Sequence, residues 1–237
     1  MNGNLQPALA DLLAYLGEMG YGDLYLDPSR AAAAQAAPAP VPAPAVTAAP
    51  PPELTGELAA LAATVAACTR CRLAEGRTKV VFGSGNPAAE LMFVGEGPGA
   101  DEDRQGLPFV GAAGELLTRI IQAIEMTRDE VYIANVVKCR PPGNRDPQPD
   151  EVSACRGYLE KQIALVRPRI LVALGRVAAQ TLLGNDAPIG RLRGQWFKVQ
   201  GIPTMVTYHP AALLRNPALK RPTWEDMQQV RDLLRAG

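Results

Sequence analysis

The sequence predicts an α/β protein, a three-layer α/β/α sandwich around a central, mainly parallel four-stranded sheet. Three observations carry that prediction. Short apolar runs of strand length alternate with longer segments whose apolar residues recur at helical spacing. The runs end in glycine or polar residues, as strands do when their carboxyl ends open onto a site. Hydrophobic residues make up 47% of the 237, enough for a real core.

The elements follow in order. Leu5, Leu9, Leu12, Leu13 and Leu16 recur at helical spacing, so residues 1–30 are expected to be a helical appendage. One amphipathic helix cannot bury itself, and a protein partner is a candidate for its apolar face. Residues 31–52 hold seven prolines and no charge, the composition of an extended, semi-rigid linker. Residues 53–237 are the globular domain. There, Thr55 is placed to cap a helix carrying Leu58, Leu61 and Val65 towards Cys68. Residues 91–94 read as a buried strand ending at Gly95. Leu116, Leu117, Ile120, Ile121 and Ile124 form a helical stripe, and 131–137 a second strand. Val152, Cys155, Leu159, Ile163 and Val166 mark another helix, followed by a strand at 170–174 and a short helix from Ala178 to Leu183. Residues 204–208 are the fourth strand. A last helix is expected to start at Thr223, with Asp226 in capping-box spacing and Met227, Val230 and Leu234 on its apolar face.

Charge and apolar content exclude some classes. The formal net charge is zero, but residues 1–52 hold four acids and one base, which leaves +3 on the domain. That is a weak bias towards a polyanion. No apolar run reaches the roughly 18 residues needed to span a bilayer. No basic segment followed by an apolar one opens the chain, so a cytoplasmic location, with no membrane, is the default expectation. Nothing in the composition asks for a second copy, and a monomer is expected.

The four cysteines fall as Cys68-x2-Cys71 and Cys139-x15-Cys155. In a chain of this kind such thiols are more often metal ligands or reduced core residues than disulfides. Four thiolates suit zinc or an iron–sulfur cluster, and spacing does not choose between them.

Three segments after strands carry chemistry. Gly95-Glu96-Gly97-Pro98-Gly99 continues through Glu102 to Phe109. Its glycines let backbone approach a ligand, and it lacks the endings of a phosphate loop or a dinucleotide fingerprint. Glu96 directly after a buried strand can orient water or stabilise a developing cation. The second segment runs from Asn135 through Lys138, Cys139 and Arg140 to Asn144 and Arg145. An amide in an apolar strand is costly unless used, and its paired donor and acceptor match a nucleobase edge. Lys138, Arg140 and Arg145 are candidates to meet phosphates. The third segment is His209-Pro210-Ala211-Ala212-Leu213-Leu214-Arg215, opened by the only histidine. Its apolar turn could wedge between stacked bases.

These three motifs and the ordered cysteines resemble the iron–sulfur, family 4 uracil-DNA glycosylases, over about residues 54–235. The resemblance implies a monofunctional enzyme of base-excision repair. It would flip deoxyuridine out of single- or double-stranded DNA, hydrolyse the N-glycosidic bond and leave an abasic site. Cys68, Cys71, Cys139 and Cys155 would hold a 4Fe–4S cluster. Phe109 would stack on uracil, Asn135 would read its edge, and His209 would donate to its O2. Gly97, Asn144 and Arg215 join the substrate-binding set. Leu213 and its neighbours would fill the gap left by the flipped nucleotide.

Departures from related families sharpen the assignment. Family 1 has an aspartate where Gly97 stands, so Glu96 is the first candidate for the water and Glu102 the second. Family 1 also has a tyrosine that excludes the thymine methyl, where this chain has Gly99. A branch that links covalently to DNA needs a second histidine, and residues 190–194 have none. Two other readings remain at this stage: a non-catalytic reader of uracil in DNA, and an iron–sulfur electron-transfer protein.

Overall fold

The computed structural model of the protein describes residues 56–236. The expected N-terminal helix, the linker and the Thr55 cap lie outside them.

The sheet has six strands rather than four. They are β1 (Ser84–Gly85), β2 (Leu91–Gly95), β3 (Tyr132–Asn135), β4 (Ile170–Leu174), β5 (Trp196–Val199) and β6 (Ile202–Thr207). Their spatial order is β1-β3-β2-β4-β6-β5. The four expected strands form the parallel centre, and β1 and β5 add an antiparallel edge on each side. β2, β3 and β4 are buried along their whole length, which is why they read as continuous apolar runs. β5 exposes Trp196 and Lys198 and so lacks that signal. It turns into β6 through Gln200 and Gly201, both at positive φ (51° and 82°), a two-residue hairpin without the Asn-Gly signature. β1 is two residues long and hides for want of length.

Helices cover both faces: α1 (Gly56–Ala66), α2 (Leu73–Gly76), α3 (Ala100–Gln105), α4 (Ala112–Ala123), α5 (Pro149–Val166), α6 (Arg176–Leu183), α7 (Ile189–Leu192), α8 (Pro210–Arg215) and α9 (Lys220–Arg235). Strand side chains alternate between two cores. Met92, Val94, Tyr132, Ala134, Leu171 and Ala173 pack with Leu61 and Val65 of α1 and Leu159 and Ile163 of α5. Leu91, Phe93, Ile133, Ile170 and Val172 pack with Leu117 and Ile121 of α4 and Met227 and Val230 of α9.

The expected helix from Ala178 begins at Arg176 and the expected strand at 204–208 runs over Ile202–Thr207; two further boundaries differ more consequentially. β3 stops at Asn135; Val136 and Val137 instead donate their N–H groups to the Gly95 and Glu96 carbonyls, at 2.9 and 3.1 Å. α9 begins at Lys220, so Thr223 is not a cap; its hydroxyl donates to the Leu219 carbonyl at 2.8 Å. Asp226 is wholly buried and accepts from Thr207 Oγ1 at 2.7 Å and from Arg193 at 2.8 Å. It thereby anchors the end of β6, two residues before His209.

The chain leaves β2 for β3 on one side, then returns to β4 on the other. This reversal makes the carboxyl ends of the central strands a natural crevice.

Candidate active site

A cleft of about 570 Å³ opens at those strand ends. Glu96, Gly97, Glu102, Phe109, Asn135, Asn144, His209 and Arg215, all named as candidates from the sequence, line it. They come from the exits of three strands, β2, β3 and β6, and from the turn and helix beyond β2 and β6.

Asn135 ends β3 and is 2% exposed, yet among the described residues its Oδ1 has no hydrogen-bond partner. A buried carbonyl left without a donor costs about 1–3 kcal/mol. Its neighbour on β2 is Gly95. A Cβ there would lie 2.5 Å from both Asn135 Oδ1 and the Phe109 ring, so only glycine lets the amide and the ring approach this closely.

Phe109 holds a left-handed backbone, with φ of 53°. Such a conformation costs a side-chain-bearing residue on the order of 1–3 kcal/mol and must be imposed by its surroundings. Gly114 is part of the imposition, because a Cβ there would stand 1.9 Å from the Phe109 carbonyl oxygen. Arg128 donates to the Pro108 carbonyl. Glu102 accepts from the backbone N–H groups of Gly99, Val110 and Gly111 at 3.1, 2.9 and 3.0 Å. The second carboxylate put forward for water is therefore committed to the turn that carries Phe109. The Phe109 ring lies 5.5 Å from the His209 ring, centroid to centroid.

His209 caps α8. Its Nδ1 accepts from Ala211 N–H at 3.1 Å, and Pro210 takes the first helical position. An accepting Nδ1 leaves the ring proton on Nε2. Burial, and then the Arg215 charge, push the imidazole pKa down to about 4, so the ring is neutral at physiological pH. Glu96 shifts the other way. Burial, and then the carboxylate of Asp146, push it up to about 7.

Asp146, Arg176 and Gly175 also line the cleft, and the sequence reading missed them. Asp146 and Arg176 form an ion pair. Arg176 carries a legible signal: it lies just beyond the end of β4, where ligand sites of parallel sheets form.

Other expectations shift. Leu213 is 2% exposed and does not line the cleft, whereas Leu214 is 45% exposed. The turn is a helix that packs on α4, so adjacent leucines face different ways, and the outward one is Leu214. Lys138 is wholly buried and cannot meet a phosphate. Arg145 grips the buried carboxylate of Glu151 with two bonds of 2.8 and 2.7 Å. Arg140 donates to Asn144 Oδ1 at 2.8 Å.

On the other side of Lys138, Cys68, Cys71, Cys139 and Cys155 line one small cavity. Arg77 donates to Cys139 Sγ at 3.3 Å and to the Cys68 carbonyl at 2.7 Å. No carboxylate or imidazole among the described residues shares the cavity. Among the described residues, no three Cys, His, Asp or Glu converge closely enough for a single ion. An all-sulfur donor set flanked by cations fits a thiolate-bound metal centre.

A buried amide, a stacking ring and a neutral imidazole at the switch point of a parallel sheet define a nucleobase-handling α/β protein. A family model for the Uracil DNA glycosylase superfamily matches residues 82–228. The chain is 48% identical over 178 residues to a type-4 uracil-DNA glycosylase of Sulfurisphaera tokodaii, covering 71% of this chain and 81% of the relative. It is 43% identical to those of Archaeoglobus fulgidus and Thermotoga maritima, covering 71% of this chain and 89% and 90% of theirs. The chain belongs to the uracil-DNA glycosylase superfamily and, within it, to the type-4 family.

Proposed function

We propose that this chain is a monofunctional uracil-DNA glycosylase of base-excision repair. It takes a deoxyuridine flipped from single- or double-stranded DNA, acts as a monomer, and leaves an abasic site. The observation that carries this reading is the orphaned Asn135 Oδ1 at the cleft. Uracil presents an N3–H donor beside its O4 acceptor, and one amide answers both. Cytosine presents an acceptor and an amine there, so both would face like groups.

The ring stacks on Phe109. As the C1′–N1 bond breaks, negative charge grows on uracil O2, and His209 Nε2–H donates to it. A neutral imidazole does this as a fixed dipole. Ionised Glu96 faces the cationic sugar and orients the water whose oxygen bonds to C1′. Leu214 fills the vacated stack. Cys68, Cys71, Cys139 and Cys155 hold a 4Fe–4S cluster. The group supplies a cross-link rather than electrons, since glycosidic hydrolysis transfers none.

The test is a uracil-containing oligonucleotide followed by alkali. Cleavage at the uracil is expected, and an intact strand at high enzyme concentration overturns the reading. A mere reader of uracil would bind the strand and release no free base. Iron with broad visible absorbance is expected in fresh protein, and colourless protein with stoichiometric zinc overturns the cluster.

A further inference from the structure

Lys138 is a wholly buried basic side chain to which the reaction assigns no step. It is 0% exposed. Its ammonium donates to the Asn135 carbonyl at 2.8 Å and to the side-chain carbonyl of Gln162. Both acceptors are neutral. The Gln162 amide is held in place by its own donations, to the Phe82 carbonyl at 3.0 Å and to the Tyr132 hydroxyl at 3.3 Å. An ammonium taken from water with neutral partners alone carries a penalty of several kcal/mol.

The missing anion has a place. Lys138 lines the four-cysteine cavity beside Cys155 and directly precedes Cys139 in the chain. Four thiolates outweigh the charge of either a zinc ion or an oxidised 4Fe–4S core, so the loaded centre is anionic. The same side chain grips the peptide carbonyl of the residue whose amide faces the cleft.

We infer that Lys138 is the counter-ion of the four-cysteine centre and the positioning residue that joins that centre to Asn135. The sulfur centre thereby helps to set uracil recognition. The inference rests on the function proposed above. It goes beyond it in giving the centre a role in base selection.

The test uses the full chain with its centre loaded. Lys138→Met keeps the length and removes the charge. The reduction potential of the cluster should fall, because a cation favouring the reduced, more negative state is gone. The inhibition constant of free uracil should rise several-fold. Gln162→Glu gives the ammonium a carboxylate of its own. It should move both quantities the same way by less, and it decides the matter if Lys138→Met does not fold. An unchanged potential in the folded variants overturns the counter-ion role. A lowered potential with unchanged uracil inhibition overturns the link to Asn135. Wild-type protein that proves colourless and zinc-loaded defeats the cluster alone. The readout is then zinc loss to a chelator: faster loss in the variants supports the counter-ion role, and an equal rate overturns it.

Discussion

Glu96 and His209 share one cleft, and burial moves both towards neutrality with opposite consequences. His209 titrates at about 4, so it is the same neutral donor across the working range. Glu96 titrates at about 7, so its ionised fraction changes within that range. The single-turnover excision rate should rise with pH through about 7. In Glu96→Gln that limb should vanish and leave a low, flat profile; a limb that persists would assign it to another group. Stability carries the opposite sign. The folded state holds the Glu96 proton more tightly than the unfolded chain. Its contribution is present below 4.5 and lost as pH rises through about 7. Glu96→Gln should therefore melt above wild type when measured above that pH, and by a smaller margin below 4.5. His209→Ala and Asn135→Ala should each lose about 2–4 kcal/mol of transition-state stabilisation, as removal of an oxyanion donor does. Wild-type single-turnover rates in both would displace the site. Asn135 was legible because an amide in an apolar strand needs a reason. Asp146 was not, because the carboxylate it faces, Glu96, lies some fifty residues away in sequence.

Two short elements determine how the cleft meets its substrate. The Phe109 turn is held by Glu102 below and by the bare Cα of Gly114 behind. Gly114→Ala cannot keep this geometry, since its Cβ would overlap the Phe109 carbonyl. Overpacking of this kind costs about 1–3 kcal/mol. It should appear as a lower melting temperature and weaker uracil inhibition together. Glu102→Gln should raise KM more than it lowers kcat, because it loosens the stacking turn without touching the reacting atoms; an equal fall in kcat and kcat/KM would return Glu102 to the chemistry. In α8 the two leucines should separate cleanly. Leu213→Ala should destabilise by about 2–5 kcal/mol, as a buried deletion does. Leu214→Ala should melt like wild type and lose excision on duplex DNA far more than on single strands. The sequence could say that a Pro-initiated turn followed β6. Without the helix phase it could not say which leucine faces out.

At the scale of the molecule, the parallel centre was legible because buried strands must be apolar on both faces, and the edges were not because exposure removed that signal. The cysteines were legible as a metal signal, but their place in the architecture was not. All four belong to the α1–α5 side of the sheet, while the α4–α9 core contains none. They tie the exit of α1, the exit of β3 and the middle of α5, and the β3 exit carries Asn135 and Lys138. Removing the centre should therefore act unevenly. Backbone amides of residues 136–145 and of α5 around Cys155 should lose hydrogen-exchange protection, while those of β4 and α9 keep theirs. Uracil inhibition should weaken before the melting transition is lost, because the base-reading amide stands nearer the cysteines than the far core does. Uniform loss of protection across both cores would instead make the centre a condition of folding, as structural metals are in very small domains. The apolar area packed on the α4–α9 side argues that this sheet survives without it.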